Sequence, residues 1–461
     1  MRESTAWNRA VLALILALLA VNVYRAATQS ITIDEAFTFN HFVAAPAADA
    51  VRFYDANNHP LNTLLIALST AAFGASELTV RLPSLAGGAL FLFAAWRLGG
   101  CAFGGSWLTF LAVATAGLNP FVLDYLSAAR GYGMALGWML LALERMVRYL
   151  AAGGEGRVRV AGISLGLAVA SNLVFAVPSA ALAAAFACLV LRGARPRAAA
   201  WNLIDGLAVP AVVTAFIFLV VPLSHASGGH FYYGAGSLWE FASSLSAASF
   251  GAGPAPGWFA AGAGLLAVAS GVGFARALRR PGPLDARAAL AALTGGAVVL
   301  SLAALIGMHH AAGMPYPLDR TGIYWLPLLV LAAFSLARRR AARAAVAVVA
   351  LCCLLQFALL FRVDRYGAWT SDAGARRMVE ALRAREKGAR PVRVTGSWQL
   401  EPALNFYRRT LGLNWLAPVE RGAVNAPGDY RAFIAEDAAA VDRLGLRVVY
   451  RDPVSGAVLA E

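Results

Sequence analysis

The sequence predicts an all-α polytopic membrane protein of about eleven transmembrane helices, followed by a small C-terminal α/β domain. Three observations point there. The 461-residue chain is 59% hydrophobic and 14% charged, whereas a soluble domain is nearer ~45–50% apolar and ~25% charged. Apolar runs of about 20 residues, enough to cross roughly 30 Å of hydrocarbon, recur along most of its length. From 362 to 461 that pattern stops, and polar helix-like and strand-like runs alternate.

The first run, 11–27, follows Arg2 and Arg9. It is long for a signal-peptide core, lacks a small-x-small cleavage site and is followed by many more spans, so it reads as an uncleaved helix. Further spans are predicted at 82–98, 106–123, 131–149, 160–174, 176–192, 200–222, 256–276, 288–308, 322–337 and 342–361. Arginine clusters mark the cytoplasmic ends: Arg145/Arg148/Arg157/Arg159, Arg192/Arg195/Arg197, Arg276/Arg279/Arg280/Arg287 and Arg338/Arg339/Arg340/Arg343. Because 160–192 is basic at both ends, it must be a hairpin turning near Ser171-Asn172. Leu61 to Gly74 is too short to span and reads as a re-entrant or interfacial helix. That parity places the N-terminus inside and the C-terminus outside, with outer loops at 28–81, 124–130, 223–255 and 309–321.

Two domains follow, 1–361 in the membrane and 362–461 outside it. In the second, Asp372 to Lys387 and Glu401 to Thr410 read as helices. Val392 to Thr395 and Leu446 to Tyr450 read as strands.

The net charge of +14 would suggest nucleic acid in a soluble protein. Here the arginines belong to cytoplasmic loops, and no nucleic-acid partner is expected. Lys387 is the one lysine and alanine is abundant, which reads as a GC-rich genome. Cys101, Cys188, Cys352 and Cys353 lie in or beside apolar runs and imply neither a disulfide nor a CxxC metal framework.

Polar groups with chemical potential gather on the outer face. Asp34 and Glu35 lie just past the first span, and Asn57, Asn58 and His59 precede the short helix. Glu77 and Arg81 are four apart, spaced to pair on a helix. Asp124, Arg130 and Tyr132 flank the turn into 131–149, and His309, His310, Asp319 and Arg320 precede Tyr324. Each has an ordinary reading. The acidic pair alone reads as a helix cap or a solvated loop, and Glu77–Arg81 as a structural pair. His309-His310 lacks a third ligand at recognisable spacing. His225 and His230 flank a glycine-rich loop, and Arg130 must be paired or lipid-facing.

Their shared face changes the balance. A carboxylate can take the proton of an acceptor hydroxyl, while arginines at the membrane surface hold a lipid phosphate as it leaves.

The segments IDEAF at 33–37, NNHPL at 57–61, ELTVRLPSLAG at 77–87, LDYLSAARGYGMAL at 123–136, DRTGIYWLPLL at 319–329 and GSWQLEPALNFYRR at 396–409 together resemble the GT-C fold glycosyltransferases. They are most similar to the bacterial group of protein O-mannosyltransferases, lipid A aminoarabinose transferases and rhizobial lipopolysaccharide core transferases. The resemblance covers nearly the whole chain and rests on the ordered set, with no single motif decisive. It implies a GT-C-like enzyme of the bacterial inner membrane, its tail periplasmic, that moves a sugar from a polyprenyl phosphate to a hydroxyl of a lipid, glycan or protein, with inversion.

By that resemblance Asp34 is the catalytic base and Glu35 the acceptor-binding helper. His59 lies at a donor-phosphate or acceptor position where several relatives carry Lys. Arg81, Arg130 and Arg320 match recurrent arginines, and the last two are the donor-phosphate candidates. Tyr132 and Tyr324 accompany them as substrate-binding residues. Some GT-C enzymes need a divalent metal and others do not; no extra acidic ligand motif stands here, and no metal ligand is assigned. The alternative reading is a transporter or lipid flippase. It expects ionisable groups at mid-membrane and inverted repeats; the spans are nearly free of ionisable residues and no repeat is visible.

Overall fold

The computed structural model describes residues 2–45, 52, 55–192, 196–226, 233–251, 255–280, 282–386 and 390–461. Arg195, His230 and Lys387 fall outside these.

Every predicted span forms a helix. Arg2–Thr28, Glu77–Phe103, Ala176–Leu191, Val209–Ser224 with the helical turns before it, Ala255–Arg279, Ala286–Ala312 and Arg340–Leu360 are the long apolar rods. Among the described residues seven helices are long and apolar enough to cross a membrane. The other four predicted spans form shorter or more polar helices, each with a visible cause. Trp107–Gly117 stops before Asn119, which caps a new helix at Pro120–Tyr125. Tyr132–Ala152 carries Glu144, Arg145 and Arg148, while Glu155–Ser171 and Trp325–Leu336 are 17 and 12 residues. Leu61–Gly74 is realised as a 14-residue helix, Pro60–Phe73, with Pro60 in its first turn.

The bundle is knit by close backbone approach. A Cβ on Gly137 of the 132–152 helix would lie 2.5 Å from the carbonyl oxygen of Gly87, so only glycine lets these two helices meet. Around that seam Phe91, Leu136, Leu143, Phe186 and Leu293 are buried. Toward the other end of the 132–152 helix, buried Glu144 is met by Arg97, Arg145 and Arg148 at 3.3, 3.2 and 2.5 Å.

The loop predicted at 223–255 holds a helix that the apolar pattern does not reveal, Leu238–Phe250. It is 13 residues long and rich in serine, below the length and apolarity of a span. Its start had a legible signal: the Ser237 side chain accepts from the Glu240 amide, a capping pattern in the sequence Ser-x-x-Glu.

The tail is a small α/β unit. Strands β1 (Val394–Gly396), β2 (Tyr430–Phe433), β3 (Val448–Arg451) and β4 (Val458–Ala460) order as β1-β2-β4-β3. β1 and β2 are parallel and the other pairings antiparallel, with Val394 opposite Tyr430 and Ala432 opposite Leu459. Helices Ala375–Arg385 and Glu401–Thr410 cover it. Its apolar face is continuous with one end of the bundle: Ile31, Phe39, Ile66 and Val80 share one buried cluster with Met378, Phe406, Tyr407 and Leu459. The tail therefore sits on the acidic loop and packs against it.

Candidate active site

The acidic loop becomes a short helix, Ile33–Thr38, whose N-terminus is closed by a capping box. The Glu35 amide donates to the Thr32 hydroxyl, and the Thr32 amide donates to the Glu35 carboxylate. The ordinary reading of the pair thus holds for one member. Glu35 is fully buried, and Arg81 clasps it with Nε 2.9 Å from Oε1 and Nη2 2.7 Å from Oε2. The Ala129 amide adds a third donor at 2.7 Å. Burial drives this carboxyl up, but Arg81 and the two amides outweigh it and hold it below its usual range. Arg81 spends its remaining N–H groups on the carbonyls of Ala26, Gln29 and Ser30.

Glu35 and Arg81, expected as the helper and a substrate-binding residue, form a closed pair and are not among the residues that line the cavity Asp34 faces. The Glu77–Arg81 pairing is corrected. Glu77 instead accepts from Arg376 at 3.1 Å and from Tyr407 at 3.0 Å, both on the tail. The i,i+4 spacing is only a weak local preference, and the bidentate Glu35 carboxylate with three backbone carbonyls satisfies all the N–H groups of Arg81.

One residue of helical rotation, about 100°, turns Asp34 away from that clasp, and its side chain is 18% exposed. It lines a cavity of about 440 Å³ together with His59, Arg130, Tyr132, Arg320 and Tyr324. Six of the eight predicted site residues, drawn from four separate segments, meet there. Asn57, Asn58, Asn172, Tyr233 and Tyr316 complete the polar wall, and Val177, Leu219, Leu305 and Met308 give an apolar wall from the spanning helices. Tyr233 and Asn172 carry no sequence signal for a site; Asn172 reads only as the hairpin turn.

Arg130 is the unusual member. It is 2% exposed, its Nε stands 3.6 Å from Asp34 Oδ2, and neither its Nε nor its Nη1 has a hydrogen-bond partner. Such a buried cation is costly unless something anionic completes it. It is held by the turn that follows. Gly131 adopts φ 73°, and a Cβ there would overlap the carbonyl oxygen of Ser171, so the chain must be glycine at this point.

His59 precedes the Pro60–Phe73 helix, with its Nε2 facing Asn172 Nδ2 at 3.4 Å. Burial first, and then Arg130 and Arg320, push its ring well below the ordinary histidine value, so it is neutral at physiological pH.

Arg320 sits on a 3₁₀ turn whose first residue, Asp319, is held at φ 39°, a conformation a non-glycine residue adopts only when its surroundings enforce it. The enforcement comes from the helix missed in the sequence. Ser244 Oγ accepts from the Asp319 amide at 2.9 Å, and Phe241 packs where a Cβ on Gly322 would stand. Tyr233 donates to Asp319 Oδ2 at 2.6 Å, while the Arg320 guanidinium lies 4.6 Å above the Tyr233 ring. His309 stacks on Tyr316, and His225 is exposed at the end of its helix. No group of three or more His, Cys, Asp or Glu side chains that could hold a metal ion occurs among the described residues.

The tail supplies residues that sequence reasoning did not find. Trp369 Nε1 donates to Asp34 Oδ2 at 3.2 Å, and the Ile33 amide donates to Asp372 Oδ2 at 2.6 Å. The Tyr407 hydroxyl accepts from the Ile31 amide at 2.9 Å. Tyr366 lies between Arg25 and Arg81, 4.6 and 5.0 Å from the two guanidinium carbons.

No family model matches the sequence, and no curated protein does either. Solved structures do resemble it. ArnT from Cupriavidus metallidurans in the apo state is 18% identical over 97% of both chains, with a TM-score of 0.50. The same organism's ArnT bound to undecaprenyl phosphate is 17% identical over 99% of this chain and 98% of that one, with a TM-score of 0.49. Arabinosyltransferase EmbB from Mycobacterium smegmatis is 15% identical over 87% of this chain and 42% of that one, with a TM-score of 0.40. The likeness to apo ArnT extends from end to end, and the chain has that fold: the GT-C architecture of a helical membrane bundle with a small tail domain expected from its ordered motifs.

Proposed function

We propose that this protein is a membrane glycosyltransferase that moves a sugar from a polyprenyl phosphate to a hydroxyl of a lipid, glycan or protein, with inversion at the sugar. The observation that carries this reading is the pairing of Arg130, a buried guanidinium whose Nε and Nη1 make no hydrogen bond, with Asp34 at 3.6 Å across one cavity wall. The cation is suited to an anionic phosphate and the carboxylate to an acceptor proton. The apolar wall from Val177, Leu219 and Leu305 gives a lipid-linked donor a place to emerge from the bilayer.

In the reaction, Asp34 takes the proton of the acceptor hydroxyl as that oxygen attacks the anomeric carbon. The bond from that carbon to the phosphate oxygen breaks, and its electron pair leaves with the polyprenyl phosphate. Arg130 and Arg320 stabilise the charge that grows there, and neutral His59 offers a hydrogen bond without competing for the anion. The outward face of the site and the inner membrane of a bacterium follow from the arginine pattern and belong to this proposal. So does the separation of a catalytic unit, 1–361, from a periplasmic tail, 362–461.

Mass spectrometry of lipid-linked sugars and envelope glycans in a deletion strain tests it. A polyprenyl-phosphate sugar that accumulates, with a glycan lacking that sugar, is the expected result. Unchanged pools of both would remove the reading.

A further inference from the structure

We infer that the tail completes the active site through Trp369, a positioning residue that pins one oxygen of Asp34 so that the other faces the acceptor hydroxyl. The inference rests on the glycosyltransferase reading above and deepens it.

Both neighbours of the Asp34 carboxylate act on one atom. Trp369 Nε1 donates to Oδ2 at 3.2 Å, and Arg130 Nε stands 3.6 Å from that same oxygen. Oδ1 accepts no hydrogen bond from any described residue. A carboxylate anchored through one oxygen has a fixed torsion, and its other oxygen keeps its lone pairs for an incoming proton. Oδ1 is then the atom that takes the acceptor proton as the new glycosidic bond forms and the phosphate departs with the old bond's electrons.

The indole is built to hold that aim. Trp369 is 6% exposed and sits with ring centroids 5.3 Å from Tyr125 and 6.2 Å from Tyr366, both themselves buried. Its backbone departs from the surrounding 3₁₀ geometry, at φ −129° and ψ 44°, which swings this one side chain out of the turn. The turn is tied down on both sides. The Gly367 amide donates to Asp124 at 2.8 Å, and Ser30 Oγ donates to the Ala373 carbonyl at 2.9 Å. Trp369 therefore comes to Asp34, 335 residues away in sequence, from a segment fixed to the 120–125 helix and to the chain just past the first helix. A tail that only recognised partners would not need to donate to the proposed base.

The test uses the full chain purified in detergent, with lipid-linked sugars extracted from the deletion strain as donor and that strain's membranes as acceptor. Trp369→Phe removes the N–H. Replacement of Trp369 by 3-benzothienylalanine, isosteric with Trp but lacking the N–H, does so without changing the packing. Both variants are expected to lose about tenfold or more in maximal rate, with the half-saturating donor concentration within about twofold and undecaprenyl phosphate binding unchanged. Trp369→His, which keeps a ring N–H, is expected to recover part of the rate. A benzothienylalanine variant that turns over at the wild-type rate overturns the inference, as does a loss confined to the half-saturating concentration. An active Asp34→Asn variant would instead remove the glycosyltransferase mechanism beneath it; an inactive one beside a fully active benzothienylalanine variant sinks the Trp369 role alone.

Discussion

Arg81 and Glu35 meet through two parallel hydrogen bonds, 2.9 and 2.7 Å long, with both side chains at 0% exposure. This clasp fixes the acidic loop to the 77–103 helix and, through the Ala129 amide, to the loop that carries Arg130. Two adjacent carboxylates thus divide their work by one residue of helical rotation: Glu35 holds the frame and Asp34 faces the cavity.

Glu35→Gln should therefore behave as a folding variant. Breaking a buried ion pair leaves Arg81 uncompensated at a cost of about 3–5 kcal/mol. Thermal unfolding in detergent, followed by size-exclusion chromatography, should show a clearly lowered midpoint for Glu35→Gln and an unchanged one for Asp34→Asn. Equal midpoints for Glu35→Gln and wild type would contradict this division.

Arg130→Met should show the opposite balance. Two buried nitrogens of Arg130 make no hydrogen bond, and its ion pair with Asp34 is long at 3.6 Å, so its loss should leave thermal stability unchanged or raised. Affinity for the polyprenyl phosphate of the proposed donor should fall by roughly 10- to 100-fold, as read by native mass spectrometry. A destabilised protein with intact lipid affinity would assign Arg130 to the scaffold.

Much of the bundle was legible because apolar runs bounded by arginine fix where helices lie, and the 14-residue run was too short to cross. The meeting of Asp34, His59, Arg130 and Arg320 at one cavity agrees with the single face on which loop parity grouped them. Three features were hidden for physical reasons. The i,i+4 spacing of Glu77 and Arg81 is a weak local preference, and a buried partner from another segment overrides it. The Leu238–Phe250 helix is too short and too serine-rich for a hydropathy scan, yet it holds the Asp319–Arg320 turn. Trp369 and Tyr407 reach the acidic loop across more than three hundred residues, and nothing local in a polar tail announces such a contact.

The tail's grip should weaken as pH rises. Burial pushes the Asp372 carboxyl up to about 7, with Asp34 and Glu35 nearby adding to the rise against the Ile33 amide and Ser371. A free Asp titrates near ~3.9, so the folded state binds the proton more tightly than the unfolded one. The stability from this group is complete below about pH 4 and is lost as pH climbs through about 7. Asp372→Asn should abolish that slope, and limited trypsin digestion of the tail between pH 5 and 8 reads it. A variant with the wild-type slope would place the titration elsewhere.

Tyr407→Phe should loosen the same junction. Its hydroxyl accepts from the Ile31 amide and donates to Glu77, and both partners are buried. Leaving them unsatisfied should cost about 1–3 kcal/mol, seen as a lower unfolding midpoint and faster proteolysis near 362–374. No change in either would mean that the apolar contacts of Phe406 and Met378 suffice alone.

The most direct measurement is complementation by Asp34→Asn in the deletion strain, read as the pool of polyprenyl-linked sugar and the composition of the envelope glycan. Loss of a general base removes about 10²- to 10⁴-fold in rate. The variant, folded and present at wild-type abundance, should therefore leave the donor accumulated and the glycan incomplete. Restoration of the wild-type pools by Asp34→Asn would contradict the assignment of Asp34 as the base.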